Sequence, residues 1–553
     1  MKRALDMALG AMVIAGSAAP ATAASMVDFS GYYRAYFLND TNLGKRGDND
    51  SRTPSFTDSY FGHRLHLDVT FSPTDELSVY WRLRGPNFQR WGDSSSMTAE
   101  TYHVYGQIKQ DWGTVLVGRL DEDLDVYGLA TLGWAPETNP IFTTVGPFEE
   151  ASVQDGIRYS REWDNGFSLM AQYAKVSNND NAAIWASDQD YDRFQAEGAY
   201  QWDGGGVSLN LIYDRDATLY SSPEDPEEPV IDKGNYFYVN PAFGQSWGDF
   251  GIHFEGLAGW GKEKYNVGGQ PDVDLSGYGF YLDADYNYGP GNVNLAGWWV
   301  SGSDFDATES KSLVNMGGNF FPLIVAYNEN ANGNGRYSAV DAEVLGYSAN
   351  AVSFANNAYV NYIHVAYQHT PNYLNTDNSI GGLTSRARGV NSLPFTQDLQ
   401  RIEGNFGEFN LETEANHWAL AVSGNHALTD EISLHYAVAY LALVNPNYRI
   451  ADSWTGLRNA DGTLIPDGRV TFIEQDKDLG WEIDLGFSFQ LLDNLEFTTA
   501  FGYMFNGDAF KTLKGFNETG SGGTGADAYT NGQAVWEDPE DSYAWYNTLT
   551  FSF

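Results

Sequence analysis

The last eleven residues, 543–553 (YAWYNTLTFSF), leave few folds open to this chain. Side chains alternate across an extended strand, so Tyr543, Trp545, Leu549, Phe551 and Phe553 share one face, while Ala544, Tyr546, Thr548, Thr550 and Ser552 share the other. One face is broad and apolar, the other mostly polar, and no residue follows Phe553 to cover the aromatic side. In water such a strand would template aggregation; in a closed barrel that faces lipid it is ordinary. The expectation is a lipid-facing strand.

The opening of the chain agrees. Lys2 and Arg3 precede an apolar stretch over residues 4–19, interrupted by Asp6, and then the small-residue run Ala21-Thr22-Ala23-Ala24. This order predicts a secretory signal over residues 1–24, cleaved after Ala23 or Ala24, and a mature chain of residues 25–553. A membrane anchor would need a longer apolar run without an aspartate.

Composition excludes several classes. No later stretch approaches 18 consecutive apolar residues and the mean hydropathy is −0.39, which argues against a helical membrane protein. With 35 Tyr, 32 Phe and 16 Trp the chain is nonetheless 15% aromatic, and it carries 59 Gly. Polar on average, rich in aromatics and alternating is what a transmembrane barrel needs, because half of each strand faces lipid and half faces water. The 31 basic and 73 acidic residues give a net charge of −42, which argues against nucleic acid as a partner. There is no cysteine, so neither a disulfide framework nor a thiol site arises.

Strand rhythm begins at Val27. On the first strand Val27, Phe29, Tyr33, Ala35 and Phe37 share a face, opposite Asp28, Ser30 and Arg34. The second carries Leu65, Leu67, Val69 and Phe71 against Arg64, His66, Asp68 and Thr70; the third carries Leu77, Val79, Trp81 and Leu83 against Ser78, Tyr80, Arg82 and Arg84. A soluble sandwich alternates too, so alternation alone does not say which face is wet. Loop length decides. Short turns at 72–76, 111–113, 162–166, 203–206, 245–249, 289–292, 429–431 and 492–494 are interleaved with long segments at 85–98, 121–151, 177–190, 215–233 and 262–273. Compact periplasmic turns and long external loops account for that sorting. Trp112, Trp163, Trp202 and Trp247 sit at or beside short turns, where an interfacial aromatic girdle lies. The reading is all-β, a transmembrane antiparallel up-and-down barrel of about 18 strands, with 16 to 20 open, and a large insertion of undetermined structure at 302–416.

At 112–119 (WGTVLVGR) the chain resembles the general trimeric porins of Gram-negative outer membranes, in which a strand ending in Gly-Arg leads into a third loop folded into the pore. The C-terminal pattern of Trp545, Leu549, Phe551 and Phe553 is similar to that family's assembly signal. The resemblance implies an integral outer-membrane protein set in lipid and lipopolysaccharide, a last strand read by the barrel-assembly machinery, a homotrimer, and an inward-facing Arg119. It does not extend through 302–416, and the acidic loop motif of the enterobacterial members is missing.

Arg34, Arg64, Arg82 and Arg84 fall on the polar faces of three successive strands, which would cluster them on one wall. Arg119 ends the fifth strand, whose alternation is too weak to fix its facing. The segment after it supplies Asp121, Glu122, Asp123, Asp125, Glu137, Glu149 and Glu150. Opposed rows of fixed charge across a narrow aqueous gap would order water and select solutes by charge and dipole. The plainer alternative is that the arginines solvate a wide lumen and pair with Asp28 or Asp68.

Other chemistry finds little support. The nine histidines are scattered, no HExxH or Cys/His metal spacing occurs, and no spacing singles out a Ser-His or Asp-His pair. Residues 40–50 and the acidic run 224–228 offer oxygen ligands for Ca²⁺, but neither matches the EF-hand loop, so no cofactor, metal or catalytic residue is assigned. The expected function is passive diffusion of small hydrophilic solutes and ions through a water-filled channel, not enzymatic. The alternatives are a channel specific for sugar, phosphate or carboxylate and, further off, an outer-membrane lipase or protease.

Overall fold

The computed structural model describes residues 27–41, 57–85, 89–90, 100–121, 153–178, 190–217, 220–221, 229–265, 273–301, 405–406, 417–445, 448–450, 472–474, 476–508, 512–517, 533–537 and 541–553. The signal expected over 1–24, nearly all of the 121–151 segment and all of 302–416 but Asn405–Phe406 lie outside these residues.

Eighteen strands pair antiparallel in chain order: β1 (Val27–Thr41), β2 (Thr57–Thr74), β3 (Leu77–Arg84), β4 (Glu100–Gln110), β5 (Gly113–Asp121) and β6 (Val153–Glu162). There follow β7 (Phe167–Asn178), β8 (Asp190–Trp202), β9 (Gly205–Asp216), β10 (Pro229–Trp247), β11 (Phe250–Tyr265) and β12 (Val273–Asn287). The circuit ends with β13 (Gly291–Val300), β14 (His417–Ala427), β15 (Ile432–Leu443), β16 (Asp478–Leu492), β17 (Leu495–Asn506) and β18 (Ser542–Ser552). β18 pairs with both β17 and β1, so the sheet is closed. The C-terminal strand is therefore no open edge: the Phe553 amide donates to the Gly31 carbonyl at 3.0 Å, and the Gly31 amide donates to the Phe553 carbonyl at 2.9 Å. Closure satisfies every edge, which is what the interior of a bilayer demands.

Cross-strand register carries one parity around the ring. Phe29, Leu65, Val79, Val117, Ile157, Leu209, Phe254, Leu282, Leu295, Val422, Ile483, Phe501 and Leu549 all belong to the face that exposes large apolar side chains. Arg34, His66, His103, Gln172, Glu197, Asn210, Glu255, Asp484 and Thr548 belong to the other, crowded inside the ring. The apolar face outward and the polar face inward is the inverse of a water-soluble sandwich.

Short turns close one end. Gly166 (φ +84°), Gly204 (φ +80°), Gly248 (φ +63°) and Gly289 (φ +94°) provide left-handed backbone in the turns after β6, β8, β10 and β12. Trp112 and Trp247 stand outside at this end, stacked on Tyr159 at 6.1 Å and Phe250 at 6.1 Å, respectively. Trp163 packs beside Phe167, and Trp202 beside Tyr200. A second aromatic row runs round the far end of β10–β18, with ring pairs Phe237–Trp260, Tyr278–Trp299, Trp418–Tyr440 and Tyr440–Trp481 at 4.9–5.5 Å. Two belts of amphipathic rings mark the two membrane interfaces. Small separate sheets, Asn405–Phe406 with Tyr448–Ile450 and Phe472–Glu474, and Thr512–Asn517 with Gln533–Glu537, belong to the long-loop connections.

Candidate functional site

The lumen wall of β1–β4 is basic and aromatic. Arg34 and Arg64 are direct register partners across β1 and β2, His66 pairs with Arg84, and Asp68 pairs with Arg82. Side chains on one face of neighbouring strands stand about 5 Å apart, so this register gathers the charges that chain order separates. Arg34 donates from Nε to Thr550 Oγ1 at 3.0 Å, and its guanidinium sits 4.9 Å from the Tyr32 ring. Arg82 holds Asp68 through two bonds of 2.7 and 3.0 Å, the bidentate arrangement that a planar guanidinium makes with a carboxylate. Arg84 lies 4.2 Å over the Tyr102 ring. Tyr32 packs on His66, and Tyr80 on Tyr105. Cation–π contact helps to hold a guanidinium over a ring face.

Further round, the wall is paired. Arg158 donates to Gln172 across β6 and β7. Arg193 and Asp214, register partners on β8 and β9, make two 2.7 Å bonds, and Tyr191 donates to the same carboxylate at 2.6 Å.

The opposite wall is acidic. β11 and β12 stand nine strands from β2 and β3 in a ring of eighteen, and their inward faces carry Glu255, Asp283 and Asp285. Asn240 donates to Glu255 at 2.8 Å, Tyr281 donates to Asp283 at 2.6 Å, and His253 Nδ1 lies 3.5 Å from Asp283. Glu482 and Asp484 on β16 add carboxylates beside Ala439 and Ala437, whose small side chains leave them room. These barrel carboxylates alternate with Phe254, Leu282 and Ile483, so strand parity in the sequence carries their signal.

Arg119 overturns its expected facing. It pairs in register with Val104 and Asp155, and it shares a face with Val117, which is 49% exposed, while Leu120 beside it is 1% exposed. The side chain therefore stands on the outer surface, and the inward placement implied by the resemblance does not hold. Asp121 ends β5 opposite Val153. Glu122, Asp123, Asp125, Glu137, Glu149 and Glu150 lie outside the described residues, as do the acidic run at 224–228 and nearly all of 40–50. Among the described residues no group of three or more His, Cys, Asp or Glu is arranged to hold a metal.

A closed barrel with an apolar girdled exterior and a charged interior is a pore through a bilayer, and residues 8–222 match the family described as Gram-negative porin. Over those residues the chain is similar to Gram-negative porins. The barrel lies in the outer membrane and forms a channel through it. No curated protein matches it. Among solved structures it is similar to OmpT of Vibrio cholerae in its trimer form, with 12% identity, 95% of this chain and 99% of that one covered, and a TM-score of 0.36. It is also similar to OccK2 (OpdF) of Pseudomonas aeruginosa in complex with glucuronate, with 9% identity, 95% and 98% covered, and a TM-score of 0.44. For OccK11 (OpdR) of Pseudomonas aeruginosa the figures are 10% identity, 95% and 96% covered, and a TM-score of 0.43. Nothing about this chain's own solute follows from likenesses of that size.

Proposed function

We propose that solutes cross this porin by diffusion between the basic wall of Arg34, Arg64, Arg82 and Arg84 and the carboxylates facing it, with no catalytic step. The observation that carries the reading is the opposition itself: a row of guanidiniums on β1–β3 and Glu255, Asp283 and Asp285 on β11–β12, nine strands away. Fixed charges of opposite sign across a water-filled lumen set up a transverse field, and a lipophilic molecule must break the water that field orders. The acidic third loop of residues 121–151 is proposed to narrow the same gap from within. Salt screens charge beyond about 8–10 Å, so passing ions feel the lumen walls rather than the net charge of the whole chain, and selectivity is weak and leans to cations. The channel works as a homotrimer, exported by the residue 1–24 signal, folded by the barrel-assembly machinery and surrounded by lipopolysaccharide.

A second reading has one observation in its favour. Tyr32, Tyr80, Tyr102 and Tyr105 interleave with the arginines, with Arg84 only 4.2 Å from a ring centre, and such a surface grips flat or sugar-like anions. A carboxylate-specific channel would bind its solute there. Reconstitution in planar bilayers tests both readings through single-channel conductance, reversal potential in a salt gradient, and block by candidate solutes. Conductance linear in salt without block supports general diffusion; saturable block by one carboxylate supports specificity. Absence of channels in wild type would end both.

A further inference from the structure

We infer that His435, Ser488, Thr498 and Glu496 form a proton-binding relay in the lumen wall, and that its protonation tunes the ion preference of the channel. The inference rests on the diffusion reading above and concerns residues which that reading does not use.

The four side chains cross three strands near the short-turn end of the lumen. His435 on β15 is the register partner of Gly486 on β16, and a residue without a side chain leaves the imidazole room to lie over β16 toward Ser488. Ser488 is in turn the register partner of Thr498 on β17. His435 Nε2 lies 3.0 Å from Ser488 Oγ, Ser488 Oγ lies 3.1 Å from Thr498 Oγ1, and Thr498 donates to Glu496 Oε1 at 3.2 Å. Glu496 pairs in register with Thr550, which accepts the Arg34 bond, so the relay ends at the edge of the basic wall.

Hydrogen count fixes the direction of the relay. A hydroxyl has one proton to donate, and an ionised carboxylate has none. Thr498 donates its proton to Glu496, so it accepts from Ser488. The Ser488 proton is then in use, and Ser488 accepts from His435. The imidazole is therefore the Nε2–H tautomer. Its lone pair sits on Nδ1, which is buried and has no hydrogen-bond partner among the described residues. The Ser488–His435 spacing is that of a nucleophile and its base, yet the bond runs the other way and leaves Ser488 unactivated.

An open imidazole nitrogen at one end of a hydrogen-bonded chain and a carboxylate at the other can hold one proton between them. Histidine is the side chain whose charge changes between about pH 5 and 8. When the unit takes a proton from lumen water, Nδ1 is filled and the net charge goes from one negative to none. The same charge results if Nε2 passes its proton to Ser488, Ser488 to Thr498 and Thr498 to Glu496, which leaves an Nδ1–H imidazole and a neutral acid. The two forms titrate as one unit. The inward residues of β14, Ala419, Ala421, Ser423 and Asn425, bring no charge to it. On β16 Asp484 and Glu482 follow Gly486, on β15 itself Asp430 and Glu431 precede the strand in an exposed turn, and Arg34 stands beyond Thr550. Passing ions feel charges within about 8–10 Å, so losing a negative charge on this wall lowers the preference for cations.

Reversal potentials in one salt gradient, measured in planar bilayers from about pH 8 to pH 5, compare wild type with His435→Gln. His66, His103 and His253 are present in both proteins, so the difference between the two curves reports His435. Wild type is expected to shift further toward anions than His435→Gln as pH falls. Superimposable curves overturn the relay and leave the diffusion reading intact, whereas absence of channels in wild type overturns both. Nitrogen-15 spectra of the imidazoles, with the His435 signals assigned by their loss in His435→Gln, are expected to show Nδ1 without a proton at the alkaline end. An Nδ1–H signal there overturns the direction of the relay. Glu496→Ala removes the acceptor that sets this direction, and is expected to populate the Nδ1–H tautomer and to change the pH curve. Should His435→Gln fail to fold, a Glu496→Ala curve that matches wild type overturns the relay without it.

Discussion

Arg193 and Asp214 face each other across β8 and β9 with two 2.7 Å bonds, and their side chains are only 1% and 0% exposed. A fully enclosed ion pair of this kind contributes less through its attraction than it would lose if halved, because the survivor is left as an uncompensated charge. Arg193→Met alone is expected to lower stability by about 3–5 kcal/mol, whereas Arg193→Met with Asp214→Leu is expected to lie close to wild type. Urea unfolding of the barrel refolded in lipid vesicles measures both; equal losses in the single and double variants would show that the pair is not the mechanism.

Two turn glycines separate backbone strain from crowding. Gly166 (φ +84°) would place a Cβ 2.2 Å from the Gln201 carbonyl oxygen, whereas Gly248 (φ +63°) has nothing within 4 Å. Gly248→Ala pays for left-handed backbone alone, about 1 kcal/mol, and Gly166→Ala is expected to reach the upper end of the 1–3 kcal/mol range. The same unfolding measurement ranks them, and a larger loss at Gly248 contradicts the argument.

On the terminal strand the two faces should differ sharply. Leu549 is 40% exposed on the outside, and Thr550 beside it accepts the Arg34 bond on the inside. Leu549→Arg is expected to cost about 2–4 kcal/mol if it lies near mid-membrane, and to lower the yield of assembled protein. Thr550→Arg places its charge in the aqueous lumen and should assemble better, with its main effect on conductance. Pulse-chase assembly in cells compares the two, and equal behaviour would mean that the facing of this strand is wrong.

How much of this was legible in the chain depends on the strand. Where one face is apolar and the other charged, as in Leu65 to Thr70 and Leu77 to Arg84, parity alone identified the lumen side, and the structure places Arg82 and Asp68 together there. β5 offers no such contrast. Leu116 and Leu120 face inward while Val115 and Val117 face out, so both faces are apolar and Arg119 cannot be assigned by pattern. A resemblance filled the gap and pointed the wrong way. Partners of high sequence separation, such as Arg34 with Thr550, and the opposition of Asp283 to Arg82 required ring closure, which local periodicity does not encode.

The Arg82–Asp68 pair provides the sharpest test of the channel. Asp68 is the register partner of Arg82, and the two bonds between them cancel one charge of each sign on the basic wall. Removing the acid unmasks a guanidinium, so Asp68→Asn should shift the reversal potential toward anions while leaving lumen width almost unchanged. Arg82→Ser with Arg84→Ser removes two cations and two long side chains, unmasks Asp68, and should both raise single-channel conductance and shift selectivity toward cations. Because salt screens charge beyond about 8–10 Å, both shifts should shrink as salt is raised from 0.1 to 1 M, roughly. Shortening the 121–151 loop should raise conductance more than either, if that loop narrows the lumen. Planar-bilayer recordings compare all four proteins in one salt gradient. Opposite shifts for Asp68→Asn and the arginine variant identify the wall as the selectivity element; shifts of the same sign, or none, would remove it from the path of the ions.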